Sequence, residues 1–126
     1  MIGFVMVGTN DLDKAIKFYD VMLETINLKR AVTNEKYAGY SSKERPEDIE
    51  FYVTNPANKE KATFGNGVKI SFIVNWKETV DKFYNLGIKL GGKDEGGPGI
   101  RPSGEYYCYL RDLDGNKICA FAKINN

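Results

Sequence analysis

The sequence predicts an α+β fold built from two tandem βαβββ modules. Three observations carry that reading. The order strand, helix, strands occurs twice along the 126 residues. The two helical stretches superpose at a shift of 65 positions, the distance from Lys17 to Lys82. Short apolar runs separated by turn signals give each half the strands of a sheet.

The first module opens with Ile2–Val7, an almost wholly apolar run that reads as a buried strand without the basic leader of a signal peptide. Thr9 and Asn10 are N-cap candidates, with Asp11 and Asp13 in a first turn where the helix dipole favours acids. Leu12, Ala15, Ile16, Tyr19 and Leu23 recur at helical spacing, so a helix is expected over about 11–23. Strands are expected at 28–32, 37–41 and 49–54, the last two parted by Pro46 and its charged neighbours. The polar stretch from Pro56 to Gly67 lacks periodicity and reads as a connection.

The second module repeats the plan. Residues 68–74 form an apolar strand, and Asn75 with Glu78 approximates a capping box. Trp76, Val80, Phe83 and Tyr84 mark a helical face, with Gly87 as its C-cap. Residues 91–102 read as a Gly-rich loop. Strands follow at 105–111 and 117–123, flanking Asp114-Gly115-Asn116, a strong hairpin signal. At the shift of 65, Lys17-Phe18-Tyr19-Asp20 falls on Lys82-Phe83-Tyr84-Asn85, Asn10 on Asn75 and Phe4 on Lys69. A single domain over 1–126 is expected, with module one at about 1–56, a linker at about 57–66 and module two at about 67–126. Two such sheets, each covered on one face by its helix, leave their other faces for a ligand cleft.

Composition narrows the function. Hydrophobic residues are 42% and charged residues 28%, the balance of a globular protein. The net charge of +1 offers no electrostatic case for nucleic acid or an anionic membrane, and no apolar run approaches a spanning helix. Cys108 and Cys119 are too few for a disulfide framework, so a cytoplasmic location is expected. The chain has no histidine, which excludes His-based triads and His-ligated metals.

Several segments together resemble the vicinal oxygen chelate superfamily, which includes glyoxalase I, extradiol dioxygenases and bleomycin- and fosfomycin-resistance proteins. They are the opening strand with residues 11–20, the run Gly65-Asn66-Gly67-Val68-Lys69-Ile70-Ser71-Phe72, the segment Gly97-Pro98-Gly99-Ile100-Arg101-Pro102, and the stretch from Tyr106 to Ile118. The last contains Asp112-Leu113-Asp114-Gly115-Asn116, similar to the family's closing Asp-Pro-Asp-Gly-Asn hairpin. The resemblance implies the paired βαβββ fold, a homodimer with clefts at or beside the subunit interface, and a small-molecule ligand. It also implies metal ligands on the first and last strands, and here the sequence departs from it. The two first-strand positions are Phe4 and Lys69, and the closing-strand glutamate position is Cys119. Only Glu50 is a carboxylate that matches a family ligand. No metal site and no cofactor are therefore assigned.

Strand alternation places Phe4, Glu50 and Tyr52 on the cleft face of module one, and Lys69, Ser71, Cys119 and Phe121 on that of module two. Lys69 is expected to pair with Glu50 or an anionic ligand in the place of the cation, or else to reach out to solvent at a strand edge. Cys119 reads as a buried, inert thiol or as one activated by Lys69. Arg101 precedes the seventh strand in a segment suited to covering a cleft, where its fork matches carboxylate or phosphate, or it is a solvated loop residue. Tyr106, Tyr107 and Tyr109 alternate between core and cleft, and Tyr107 is assigned to the cleft. The expected function is a glyoxalase-like small-molecule-binding protein lacking the family metal site. The alternative is a superfamily enzyme with a rebuilt or metal-free site, Glu50 serving as acid or base.

Overall fold

The computed structural model describes residues 1–123. Its elements run β1 (Val5–Gly8), α1 (Leu12–Glu24), β2 (Leu28–Thr33), β3 (Tyr37–Ser42), β4 (Ile49–Thr54), β5 (Ile70–Val74), α2 (Lys77–Lys89), β6 (Lys93–Ile100), β7 (Tyr106–Arg111) and β8 (Lys117–Ala122). Sheet A has the order β1-β4-β3-β2 and sheet B the order β5-β8-β7-β6. In each, the strand before the helix pairs in parallel with the last strand of its module, and the remaining pairs are antiparallel. This is the α+β architecture of two βαβββ modules.

The repeat is closest in the helices. α1 and α2 each hold 13 residues, and both their ends are offset by the 65 positions read from the sequence. The caps differ from expectation. Asp11, not Thr9 or Asn10, caps α1, its carboxylate accepting from Lys14 N. Asn10 instead clasps the linker, accepting from Ala62 N at 2.7 Å and donating to Ala62 O at 3.3 Å. Trp76, not Asn75, is the N-cap of α2 and offers no side-chain hydrogen bond. Gly87 lies within α2 rather than capping it. A Cβ there would sit 2.2 Å from Leu110 Cδ1 and 2.9 Å from Met22 Cε, so glycine permits the helix to approach both the sheet and α1.

The largest departure is β6. The segment expected as a Gly-rich loop is an eight-residue strand paired to β7, with register shifts between Asp94 and Gly96 and between Gly96 and Gly99. Glycine and Pro98 depress strand propensity, yet an edge position tolerates both because only one side of the strand must pair. The strands expected at 2–7 and 68–74 begin later, at Val5 and Ile70, while β8 ends at Ala122.

The two modules share one core. α1 contributes Phe18, Tyr19, Met22 and Leu23, and α2 contributes Val80 and Phe83. Burying an aliphatic or aromatic side chain of this size is worth about 1.5–3 kcal/mol. Phe51, on the helix-covered face of sheet A, meets Phe72 of β5 with ring centroids 5.6 Å apart, and Phe72 in turn meets Phe83 of α2 at 6.1 Å. The two sheets thus meet through their helix-covered sides. Their other faces are not covered by the helices, and Glu50 of one sheet and Ser71 of the other border a single groove.

The 112–116 hairpin locks this arrangement. Asp112 is 4% exposed, and its Oδ1 accepts from the Asp114 and Asn116 backbone amides, both at 2.9 Å. Its Oδ2 accepts from Tyr19 Oη of α1 at 2.5 Å and from Asn116 Nδ2 at 2.9 Å. Asn116 Nδ2 also donates to Gly8 O at the end of β1, and Asp114 Oδ1 accepts from Asn10 N. Burial raises the Asp112 carboxyl above the usual aspartate value, although the donors around it pull the other way. Burial first, then the Asp112 charge, pushes the Tyr19 hydroxyl well above the usual tyrosine range.

Tyr19→Phe removes a donor from a buried carboxylate and is expected to lower stability by about 1.5–3 kcal/mol at neutral pH. Tyr19 favours the ionised form of Asp112, so the loss should shrink once that carboxyl is protonated. Urea unfolding of both proteins at pH 7 and at about pH 3, below the ordinary aspartate value, checks this. An equal loss at both would show that the bond is not to a charged group.

Candidate functional site

Strand pleating decides which side chains reach the outward faces. On sheet A, Met6 and Tyr52 sit opposite each other across the β1–β4 pair. Phe4 packs edge-on against Tyr52 at 5.0 Å, and Tyr37 packs on it from β3 at 5.5 Å. Gly39 leaves room for that ring, since a Cβ there would lie 2.8 Å from Tyr52 Cε1. Phe4 and Met6 stay 55% and 46% exposed. Glu50 is exposed beside them. It also lines a groove of about 600 Å³ that runs from Thr25–Leu28 at the end of α1 to Ser71–Trp76 along the free edge of β5.

On sheet B the outward face is an aromatic ladder. Phe121 stacks on Tyr107 with centroids 4.8 Å apart and planes 9° from parallel, and Tyr107 stacks on Tyr109 at 5.7 Å and 14°. Tyr107 Oη donates to Glu105 Oε1 at 3.3 Å. Three cations gather at the Tyr109 end. Lys69 Nζ lies 5.0 Å from the ring centroid, Arg101 Cζ 5.3 Å and Lys117 Nζ 5.3 Å. A cation–π contact at an exposed site is worth about 0.5–1 kcal/mol, which opposes the repulsion among three like charges. The ion pairs among the described residues are Arg30–Asp20, Lys43–Glu24 and Arg111–Glu95, so none of the three cations is neutralised by a carboxylate there.

Arg101 is held in place by the glycines of β6. Its Nη2 donates to Gly97 O at 2.6 Å. A Cβ on Gly99 would lie 2.9 Å from its Nη1, and one on Gly96 would lie 3.2 Å from its Nη2. The guanidinium therefore lies along a strand stripped of side chains and against Tyr109. This gives the composition of β6 a physical reason, because any larger residue at Gly99 would contest the guanidinium's place.

Cys119 is buried beneath this face, paired in register with Ser71 on one side and Tyr109 on the other. Burial pushes its thiol up, against the Ser71 hydroxyl and the charges of Lys69, Lys117 and Arg101, which pull it down. The three cations thus bear on one point, and burial still prevails there. Cys108, on the helix-covered face, is pushed up to about 12 by burial. Burial thus disfavours the thiolate at both positions.

The residues expected from the sequence thus fall into two groups. Phe4, Glu50 and Tyr52 lie together on sheet A. Lys69, Ser71, Arg101, Tyr107, Cys119 and Phe121 lie together on sheet B. Within one chain only Glu50 and Ser71 of the two groups line a common groove, and among the described residues Lys69 makes no ion pair with Glu50. Sequence reasoning left Tyr109 without an assigned role and passed over Lys117. Their signal was present, since Tyr109 is two residues from Tyr107 and Lys117 two from Cys119, each pair on one face of a strand.

The first- and last-strand positions also decide how well the chain suits a divalent cation. Met6 pairs with Tyr52, and Ser71, the repeat counterpart of Met6, pairs with Cys119. The module-one counterpart of Cys119 is therefore Tyr52, and that of Lys117 is Glu50. The four positions hold Phe4, Tyr52, Lys69 and a buried thiol, a donor set that does not fit a divalent cation. No three His, Cys, Asp or Glu side chains converge among the described residues.

Comparison with known proteins agrees with the architecture. Residues 1–120 match the family model of the Glyoxalase/Bleomycin resistance protein/Dioxygenase superfamily, and the chain belongs to that superfamily. A glyoxalase/bleomycin resistance protein from Albidiferax ferrireducens T118 is 41% identical, with a TM-score of 0.89 over 98% of this chain and 99% of that one. A glyoxalase/bleomycin resistance protein/dioxygenase family enzyme from Burkholderia phytofirmans PsJN shares the fold at 17% identity, with a TM-score of 0.76 over 97% and 98% of the two chains. The lactoylglutathione lyase of Agrobacterium tumefaciens shares it at 19% identity, with a TM-score of 0.69 over 97% and 92%. A search of curated proteins found no match. No helix among the described residues is long and apolar enough to cross a membrane.

Both cysteines should resist alkylation in the native protein at about pH 8 and react at least about 100-fold faster in urea. Mass spectrometry after timed iodoacetamide exposure reads this. Modification of Cys119 at its unfolded rate in the native protein would mean that the aromatic ladder does not cover it.

Proposed function

We propose that this chain is a cytoplasmic small-molecule-binding protein that acts as a homodimer and does not use the metal site of its superfamily. The observation that carries this reading is that the sheet faces holding the candidate residues are not covered by the helices and expose Phe4, Met6 and Ile73. Each is a half-cleft with apolar or aromatic side chains open to solvent, and a second copy would complete it by laying sheet A of one chain over sheet B of the other. Exposed Phe4 and Met6 on one face, and Ile73 at 61% exposure on the other, supply apolar surface for such a contact. The cleft would then be walled by Phe4, Glu50 and Tyr52 from one copy and by Lys69, Ser71, Arg101, Tyr107 and Phe121 from the other, with Cys119 as its floor. The donor set at the first- and last-strand positions supports metal-free binding. Two free, buried cysteines suit a reducing compartment.

Light scattering on the eluting protein should give twice the chain mass. Met6→Lys, which buries a charge in the proposed contact, should shift it to the monomer at an unchanged fold by circular dichroism. A wild-type protein that stays monomeric at about 100 µM, well above an ordinary dimer constant, would overturn the shared cleft.

Protein purified without a metal-affinity step should carry no stoichiometric divalent metal and take up none on addition of nickel, zinc, manganese or iron. Small aromatic and anionic compounds should raise its melting temperature by mass action. Near-stoichiometric metal would overturn the metal-free reading and direct attention to lyase, isomerase and dioxygenase chemistry.

A further inference from the structure

We propose that the outward face of sheet B selects a flat conjugated ligand bearing an oxyanion group, its ring laid along the Phe121–Tyr107–Tyr109 ladder and its anion held by Arg101, Lys69 and Lys117. This rests on the small-molecule-binding reading and names the class of ligand.

Three independent features point the same way. The first is the ladder, whose rings stack nearly parallel on one another and so line an open sheet face with their electropositive edges, which the face of a planar ligand complements. Planar groups pack on such edges in preference to saturated ones. The second is charge. Three cations surround one ring with no carboxylate paired to any of them among the described residues. All three lie within 5.3 Å of the Tyr109 centroid, and an anion bound beside that ring would offset their mutual repulsion. The third is preorganisation. Arg101 spends one donor on Gly97 O, which fixes the guanidinium in its glycine-floored slot and leaves its other N–H groups to bind. A fork fixed before binding loses little entropy on engaging carboxylate or phosphate. A saturated apolar ligand would leave the cations unanswered, and a cationic ligand would be repelled.

Titration of the full chain with 2-naphthoate, 2-naphthyl phosphate, the neutral isostere 2-naphthamide and inorganic phosphate tests this, followed by NMR of the aromatic and backbone resonances. One or both naphthyl anions should bind with shifts at Tyr107, Tyr109 and Phe121. Naphthamide and inorganic phosphate should each bind at least about tenfold more weakly, lacking the charge or the ring. Which naphthyl anion binds tighter separates carboxylate from phosphate recognition. Raising salt from about 0.05 to 0.3 M should weaken the anion and leave naphthamide unaffected. Arg101→Gln and Lys117→Gln should each weaken the anion by about fivefold or more, and Lys43→Gln, on a remote surface, should not. Gly99→Ala keeps every charge but displaces the guanidinium, so it should weaken the anion as Arg101→Gln does while the melting temperature holds.

Equal binding of naphthamide and naphthoate would overturn the anion and leave the binding-protein reading standing. Unchanged affinity in both charge variants would do the same. If none of the four compounds moves the ladder resonances, the ligand class assigned to this face is wrong. If no compound in the wider thermal-shift panel binds either, the binding-protein reading fails with it.

Discussion

A single buried carboxylate holds the two modules in their relative positions. Asp112 organises its own hairpin through two backbone amides and Asn116, and it reaches across the module boundary to Tyr19 of α1. Asn116 extends the link to the carbonyl at the end of β1. A carboxylate at this depth is costly unless every lone pair is answered, and the donors that answer it come from both modules. Separating or rotating the modules would take the Tyr19 donor from that charge. The hairpin sequence that resembles the superfamily's closing motif is thus, in this chain, a clamp between its halves.

The clamp fixes which surfaces are available for function. Because the modules meet through α1, α2, Phe51 and Phe72, the opposite faces of both sheets are left outward. Each module therefore has one sheet face without a helix over it. The two faces differ in kind. Sheet A presents Phe4, Met6 and Tyr52 with one exposed carboxylate, whereas sheet B presents stacked rings and a knot of cations. The tandem units have kept the same backbone plan, down to helices of equal length at a constant offset, while their outward faces have diverged in charge.

The glycines of β6 illustrate how local sequence and tertiary role can conflict. By composition the segment is a loop, and it is a strand only because β7 offers a ladder to pair with and the outer edge need not pair at all. What the glycines cost in strand propensity they return as space for Arg101. The similar conflict at Gly87, glycine inside a helix, is resolved by close packing against Leu110 and Met22. The capping errors have a related cause. Asn10 has the right chemistry for an N-cap, yet its side chain is taken by the linker at Ala62, so the cap passes to Asp11.

The α+β class, the two-module plan, the helices to within a few residues, most strands and the absence of histidine are all legible in the order of the amino acids. These follow from local periodicity, and periodicity is written in adjacent residues. The sequence by itself also named six of the side chains that share the face of sheet B, because alternation along a strand is a local property too. The tertiary structure alone decided how the modules meet, which position of β4 answers to Cys119, and that Lys69, Lys117 and Arg101 converge on one ring. Those three residues come from the approach to β5, the start of β8 and the segment after β6. Their meeting depends on strand pairing and on a glycine-lined path for one side chain, and both are long-range contacts that no window of sequence contains.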